Sequence, residues 1–204
     1  MTPYYSDDHV TLYHARWEDV PPDLLRADVL VTDPPYGVGK ASWDGEFAAW
    51  EGAADMVGKA VGLMPGNSNI GKCPVAVAGM QYRWTLAAHI TNALVRGATG
   101  FGNWIPMLMY AADGVSIFTQ QPDVRDFAIQ GAMPDHPSPK PYHVMRWFVS
   151  MLPTGTILDP YAGSGTTLVA AKSLGRKAIG VECVERYCEV AANRLRQEVL
   201  GLVA

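Results

Sequence analysis

The stretch TGTILDPYAGSGTTLVAAKSLGRKAIGVE, residues 154–182, places a glycine-rich loop and a helical pattern between two short apolar segments. TGTILD and KAIGVE each predict a strand, and the intervening helix should end at Gly175. A strand, a short helix and a second strand predict a right-handed crossover between parallel strands. We therefore expect an α/β protein with three layers and a mostly parallel sheet.

The loop within this stretch has the composition of a ligand site. Asp159 ends the first strand, and Gly163 and Gly165 form the turn into the helix. Ligands of open α/β sheets bind at such strand ends, and glycine lets a ligand approach the backbone. A dinucleotide loop would have glycine where Leu168 stands, and a phosphate-binding loop would have lysine after Gly165. Both phosphate-binding interpretations are therefore weak.

The second strand ends in Glu182, which can accept hydrogen bonds from both hydroxyls of a ribose. These groups suit a nucleoside that carries an amine and a carboxylate but no phosphate, and S-adenosylmethionine is such a molecule. Asp159 would accept its ammonium group, and the N–H groups of the loop would bind its carboxylate. The alternative is a glycine-rich turn that binds nothing, with Glu182 on the surface.

A second stretch, VLVTDPPYGVGK at 29–40, joins an apolar strand pattern to an acid, two prolines and a tyrosine. The amine of a nucleobase is a poor nucleophile, and a carboxylate such as Asp33 can accept its hydrogens during attack. Pro34 and Pro35 stiffen the turn and offer carbonyls without competing donors. Tyr36 offers a flat face to a base that has left its helix. The alternative is a strand that ends in an ordinary Pro-Pro turn.

Together these stretches resemble the amino methyltransferases of DNA, which modify adenine N6 or cytosine N4. DPPYG at 33–37 resembles their catalytic motif, and DPYAGSGTT at 159–167 resembles their cofactor motif. HPSPKP at 136–141 resembles the segment that precedes the cofactor motif in the family. The catalytic motif comes first, as in the circularly permuted beta group. The resemblance covers roughly 4–40 and 136–197, and it implies a Rossmann-like fold that depends on S-adenosylmethionine, with an antiparallel hairpin at one end of the sheet.

The resemblance also assigns roles by position. Asp33 and the Pro34–Pro35 turn would receive the target amine, and Tyr36 would stack on the base. The cofactor residues implied by the resemblance are Asp159, Tyr161, Gly163, Gly165, Thr167, Glu182 on the ribose, Cys183 beside the adenine, and His136, Ser138 and Lys140 at the methionine end. No metal ligand set is expected.

Length and charge fit a single methyltransferase domain over 1–204, with a catalytic half to about 119 and a cofactor half from about 136. The net charge is −4, and residues 1–70 carry eleven acidic against four basic side chains. The net charge therefore does not indicate a nucleic-acid partner. No segment resembles a signal peptide or a membrane span, and the three cysteines favour a reducing compartment. The resemblance implies a cytoplasmic enzyme of a bacterium or phage.

The sequence patterns in the middle of the chain indicate secondary structure less clearly. We expect helical segments in 46–64, a buried strand at 74–80, a helix at 82–96, and two strands around a turn at Asp113-Gly114. Residues 120–139 should be irregular, 142–152 should form an amphipathic helix, and the last helix should follow Glu182. Cys183 and Cys188 are interpreted as small buried residues.

Two features depart from the family pattern. The family often has His-Gly-Asp after its first strand, but this chain has HARWED at 14–19, so Glu18 or Asp19 would have to substitute. Little chain is left for target recognition beyond 41–72 and 120–135. The residues we consider as DNA contacts, with core packing or an ordinary surface role as the alternative, are Trp43, Trp50, Arg83, Trp84, Trp104 and Arg125.

We expect methyl transfer to double-stranded DNA, with adenine N6 favoured because Asp opens the catalytic motif. Cytosine N4 is the alternative, as is an inactive subunit that binds cofactor and supports a partner. Transfer to cytosine C5 fails because it would need a Pro-Cys nucleophile, and this chain has Cys73-Pro74. Enzymes that methylate RNA or protein amides use related turns but normally have the cofactor motif first, so the order of the motifs argues against both. The beta group often pairs, which leaves a homodimer open, but the sequence does not give the oligomeric state.

Overall fold

The structure is a computed structural model, and it describes residues 1–35, 37, 50–93, 95–96, 101–117, 119–128 and 140–201. The helices in these ranges are α1 Glu51–Ala54, α2 Tyr142–Ser150, α3 Thr166–Ser173 and α4 Glu185–Gly201, with 3-10 turns at Trp17–Asp19, Pro22–Leu24 and Asn67–Lys72. The strands are β1 Tyr5–Ser6, β2 Val10–His14, β3 Ala27–Thr32, β4 Val57–Leu63, β5 Ala76–Val77, β6 Met80–Ile90, β7 Val95–Arg96, β8 Phe101–Gly102, β9 Trp104–Ala111, β10 Val124–Phe127, β11 Ile157–Asp159 and β12 Ala178–Glu182.

Ten of these strands form one sheet, in the order β1-β2-β12-β11-β3-β4-β9-β6-β10 with β5 attached to β6. The five strands from β2 to β4 run parallel to one another. Beyond them, β9 is antiparallel to both β4 and β6, and β10 pairs with β6 in parallel. The predicted α/β fold, mostly parallel with an antiparallel hairpin towards one end, is confirmed.

Helices cover one face of this sheet, which gives the layers expected from the sequence. Phe148 of α2, Leu168 of α3 and Leu195 of α4 are fully buried in one cluster with strand residues such as Val29. The opposite face carries a second cluster, which includes the fully buried Trp50. Burial of such large side chains contributes roughly 1.5–3 kcal/mol each. The core is therefore built on both faces of the sheet.

The crossover predicted from residues 154–182 is confirmed. β11 and β12 pair in parallel, with Leu158 opposite Ile179, and α3 connects them. Gly180 is needed for this packing, because a Cβ atom there would lie 2.6 Å from Cδ1 of Leu168. The predicted helix at 142–152 is α2, and its apolar residues Val144 and Phe148 are buried.

The middle of the chain corrects several expectations. Residues 82–90, expected to be helical, belong to the long strand β6, and 57–63 form β4 rather than part of a helix. The expected buried strand at 74–80 is reduced to the two residues of β5, and Val75 is 82% exposed.

The hairpin around Asp113-Gly114 is also different from the expected one. The first strand is β9, but the described residues that follow the turn, 115–117, are not in a strand. The antiparallel partner of β9 is instead β6, which precedes it in the chain. The region expected to be irregular contains β10, which pairs with β6 at the edge of the sheet. One of the two expected recognition segments, 41–72, includes the central strand β4.

Across the described ranges, none of the helices has the length and apolar character needed to cross a membrane.

Candidate active site

Three acidic residues meet where neighbouring parallel strands end. Asp33 follows β3, Asp159 ends β11 and Glu182 ends β12. β11 lies between the other two strands and pairs in parallel with both. Residues far apart in the sequence therefore converge at the carboxyl edge of the sheet, where open α/β folds bind ligands. The sequence located each acid at a strand end, and the strand order brings them together.

Asp159 is the most deeply buried of the three, with 1% of its surface exposed. Its Oδ1 accepts a hydrogen bond from the N–H of Tyr161 at 3.1 Å, and the Thr167 hydroxyl also bonds to the carboxylate. Burial raises the pKa of Asp159 to about 7, and the negative charges of Asp33 and Glu182 add to the effect. A cationic group placed here would stabilise the ionised form. The site therefore fits the ammonium group of the expected cofactor.

Glu182 is held by the backbone around it. Its Oε2 accepts from the N–H of Gly163 at 2.8 Å, and its Oε1 accepts from the N–H of Val184 at 2.8 Å. Burial raises the pKa of Glu182. The backbone and the side chain of Cys183 also bond to this carboxylate, so a ribose hydroxyl would share or replace one of these bonds. The predicted ribose role is compatible with this geometry.

The loop between β11 and α3 is less available to a ligand than its composition suggests. The N–H groups of Tyr161, Ala162, Gly163 and Gly165 all donate within the protein. These four groups therefore do not support the expectation that loop N–H groups bind the cofactor carboxylate. A Cβ atom on Gly165 would lie 2.7 Å from the Cβ of Ala191 in α4, so this glycine serves the contact between α4 and the loop.

Arg194 of α4 holds the same loop and was missed in the sequence. Its Nη1 donates to the Ser164 carbonyl at 2.6 Å and lies 3.0 Å from the Thr166 hydroxyl. The one signal available was its position in the closing helix, between the apolar residues Ala191 and Leu195. Arg194 fixes the turn that presents Asp159 and Glu182.

The segment that departs from the family pattern lies beside the end of β12. The Ala15 N–H donates to the Glu182 carbonyl at 3.0 Å, and Nε2 of His14 donates to the Cys183 carbonyl at 3.1 Å. Nε1 of Trp17 donates to the Tyr161 hydroxyl at 3.1 Å. HARWED therefore still borders the predicted nucleoside end, and Trp17 supports Tyr161 there.

The two cysteines after β12 differ in exposure. Cys188 is buried, as expected, but Cys183 is exposed, so its interpretation as a buried residue is wrong. It is the first residue after β12, and its thiol bonds to the Glu182 carboxylate. This exposure is compatible with the position beside an adenine that the resemblance implies.

Lys140 contacts the acid of the motif at 33–36, and its predicted role at the methionine end of the cofactor stays a prediction. Its Nζ contacts Oδ2 of Asp33, with 14% of the lysine side chain and 24% of the aspartate side chain exposed. Pro34, next in the chain, is buried, and Pro35 is half-buried. Tyr36, His136 and Ser138 lie outside the described residues, so their predicted roles stay predictions.

The candidate DNA contacts differ in exposure. Trp50 is fully buried and belongs to the core, whereas Trp84 and Trp104 are 55% and 38% exposed. Arg83 pairs with an aspartate at 2.7 Å, and the Arg125 guanidinium lies 5.7 Å from the ring centroid of a phenylalanine. Trp104 begins β9, which runs antiparallel to β4, and therefore lies towards the edge that carries Asp33. Trp43 is outside the described residues.

Solved structures with a similar fold are DNA methyltransferases. The M1.HpyAVI–SAM complex matches with a TM-score of 0.72 at 22% identity, over 91% of this chain and 98% of the other. The PvuII DNA methyltransferase (cytosine-N4-specific) matches with a TM-score of 0.69 at 14% identity, over 94% of this chain and 88% of the other. The fold is therefore the Rossmann-like fold of DNA methyltransferases.

Sequence comparison finds similarity over part of the chain. Residues 115–193 match the N6_N4_Mtase family model, described as DNA methylase. Type II methyltransferase M2.DpnII of Streptococcus pneumoniae is 42% identical over 65 residues, which are 31% of this chain and 24% of the relative. M.HinfI of Haemophilus influenzae is 41% identical over 64 residues, or 30% of this chain and 18% of the relative. This C-terminal region is therefore similar to the N6/N4 DNA methyltransferase family, and the beta-group arrangement stays a prediction.

Proposed function

We propose that this protein binds S-adenosylmethionine and transfers its methyl group to the exocyclic amine of a base flipped out of double-stranded DNA. The observation that carries the proposal is the convergence of Asp33 and Asp159 at the ends of the neighbouring strands β3 and β11. Asp33 follows β3 in the stretch that resembles the catalytic motif, and Asp159 begins the loop between β11 and α3 that resembles the cofactor motif. This arrangement puts an acceptor for an amine beside a site for a methyl donor.

The described residues divide the work of binding. Asp159 receives the ammonium group of the cofactor, because it is a buried carboxylate whose pKa of about 7 falls when a cation binds beside it. Glu182 receives the ribose hydroxyls, and Tyr161 and Thr167 line and fix the loop. The resemblance gives the methionine end of the cofactor to His136, Ser138 and Lys140.

Asp33 acts on the target base. Its carboxylate and the carbonyl of Pro34 accept hydrogen bonds from the amine, so that the nitrogen lone pair turns towards the methyl group. The cofactor supplies an electrophilic methyl group when bound. The methyl group would pass from the sulfur to the amine nitrogen in one displacement, the sulfur would leave as a neutral thioether, and the amine would lose one proton to water; Tyr36 would stack on the base. No covalent intermediate with the protein is formed.

Adenine N6 is the favoured target because Asp opens the motif at position 33, which is a tendency of the family. Cytosine N4 is the second candidate, favoured by the similarity of the fold to a methyltransferase described as cytosine-N4-specific. The chain spans 24% of M2.DpnII and 18% of M.HinfI, so target and partner assignments rest on the site rather than on these relatives. A homodimer is a further proposal, checked by analytical ultracentrifugation.

The test is methylation of mixed-sequence double-stranded DNA with labelled S-adenosylmethionine, followed by mass spectrometry of the nucleosides. We expect N6-methyladenine from the wild type and none from D33A. The matched control is D8A, which removes an exposed aspartate outside the site. N4-methylcytosine would select the second candidate. Cofactor binding without any modified base would indicate an inactive subunit and contradict the proposal.

A further inference from the structure

The contact between Lys140 and Asp33 joins two elements that are distant in the sequence. Asp33 follows β3, and Lys140 precedes Pro141, the residue that caps the start of α2. The pair is separated by 107 residues and is largely shielded from water. A charge pair with this degree of burial is screened less than a surface pair, so it can fix the position of a side chain.

The charges around Asp33 explain why a cation is useful here. Asp159 on β11 and Glu182 on β12 approach from the cofactor side, and the charge of Asp33 helps to raise the pKa of Asp159. Like charges in one site repel one another. Lys140, which precedes α2, provides a positive charge in direct contact with the Asp33 carboxylate.

We propose that Lys140 is a positioning residue for Asp33, which holds the carboxylate oriented towards the target amine, instead of a ligand of the methionine end of the cofactor. A carboxylate has about four lone-pair sites, so contact with Lys140 at Oδ2 is compatible with a further hydrogen bond from the base. Lys140 neither gives nor takes a proton in this role. The inference rests on the proposed function, because it assigns a task within that site.

The two roles for Lys140 predict different kinetics. If Lys140 acts through Asp33, removal of its charge lowers kcat and leaves the affinity for cofactor unchanged. A lost charge-assisted hydrogen bond corresponds to about a 10- to 100-fold decrease in kcat. If Lys140 holds the cofactor, the dissociation constant for cofactor rises, and the rate at saturating cofactor is preserved.

The experiment compares wild type, K140M and K140R, with K177M as the control for loss of an exposed lysine. The measurements are kcat and KM for DNA, the dissociation constant for cofactor by calorimetry, and the thermal unfolding midpoint. We expect K140M to lose kcat by 10- to 100-fold, with cofactor affinity within about twofold of wild type. K140R should recover most of the lost kcat because it retains the charge, and K177M should match wild type.

Weaker cofactor binding in K140M with an unchanged rate at saturation would overturn the inference, as would equal kcat in wild type and K140M. In both cases the wild type still methylates DNA, so the proposed function survives. A wild type that methylates no DNA would instead overturn the proposed function and this inference with it. If K140M does not fold, K140Q replaces it in the same comparison.

Discussion

Burial raises the pKa of Asp159 to about 7, so the protonated form becomes dominant in the ligand-free protein as the pH falls below neutrality. The cationic ammonium of the cofactor would favour the ionised form. Binding below pH 7 should therefore release a proton, and the affinity should fall by up to about tenfold for each pH unit below that value. Calorimetry at pH 6 in two buffers of different ionisation enthalpy measures the released proton directly.

The control for this prediction is D159N, which cannot titrate at this position. It should bind more weakly at pH 8, and the proton release at pH 6 should disappear. Proton uptake by the wild type at pH 6, or an affinity that is constant between pH 6 and pH 8, would contradict the assignment of the ammonium group to Asp159.

Gly165 and Gly175 form a matched pair for separating backbone strain from crowding. Both have left-handed φ angles, +78° and +67°, but a Cβ atom meets nothing within 4 Å at Gly175 and lies 2.7 Å from the Ala191 Cβ at Gly165. We expect G175A to lower the free energy of unfolding by about 1 kcal/mol and G165A by about 3 kcal/mol. Urea unfolding measures both, and equal losses would show that Ala191 yields without cost.

The site residues that the sequence identified are those whose position follows from a local pattern of strand and loop. Asp33, Asp159 and Glu182 each end a predictable strand, so their alignment follows once the strands are known to be parallel neighbours. Arg194 and the Lys140 contact depend on how helices pack over distant segments, and nothing local to either residue specifies that packing. These contacts of the site could therefore not be predicted from the sequence.

At the scale of elements, β6 shows why the middle of the chain was misassigned. Its sequence contains LAAHI, and alanine and leucine also favour helices. The alternation of the buried Leu86, Ala88 and Ile90 belongs to a strand paired with β9. Long-range pairing decides between these conformations, and a local pattern does not contain it. The cofactor half was predicted well because its strand, loop and helix are consecutive.

The contact of α4 with the cofactor loop gives a prediction at this scale. R194M should lower the affinity for cofactor by about tenfold, because the Ser164 carbonyl and the Thr166 hydroxyl lose a charged donor and the turn loosens. The matched control is R196M on the same helix, whose guanidinium bonds to Asn193 away from the loop. Calorimetric titration with cofactor measures both. Equal affinities for the two variants would show that α4 does not hold the turn.

At the scale of the whole molecule, a buried ion pair ties the first strands to the last helices. Nζ of Lys172 in α3 lies 2.5 Å from Oδ2 of Asp7 and donates to the Leu195 carbonyl at 2.9 Å. Tyr5 donates to the same carboxylate oxygen at 2.6 Å. Burial alone would raise the pKa of Asp7, but hydrogen bonds from Lys172, Tyr5 and the backbone outweigh it and hold that pKa well below its usual range.

This pair should make the fold sensitive to acid. The pKa of Asp7 is lowered in the folded state, so its contribution to stability is present above the unfolded pKa of about 3.9 and is lost as the pH falls below that value. D7N should lower the free energy of unfolding by about 2 kcal/mol at pH 7 and weaken the decline below pH 4. Urea unfolding between pH 3 and pH 7 measures this, with D8N as the exposed control. Parallel profiles for D7N and wild type would contradict it.

Arg176, which lies between α3 and β12, anchors the far end of the helix that begins beside Lys140. Its guanidinium donates to the carbonyls of Val149, Pro153 and Gly155 at 2.9, 2.7 and 3.2 Å. The nine residues of α2 make a rod of about 13 Å. We expect separation of Lys140 from Asp33 to occur as a rotation of this rod about its clamped end. A tilt of about 5° around a pivot at Arg176 would move the start of α2, and Lys140 with it, by about 1 Å relative to Asp33.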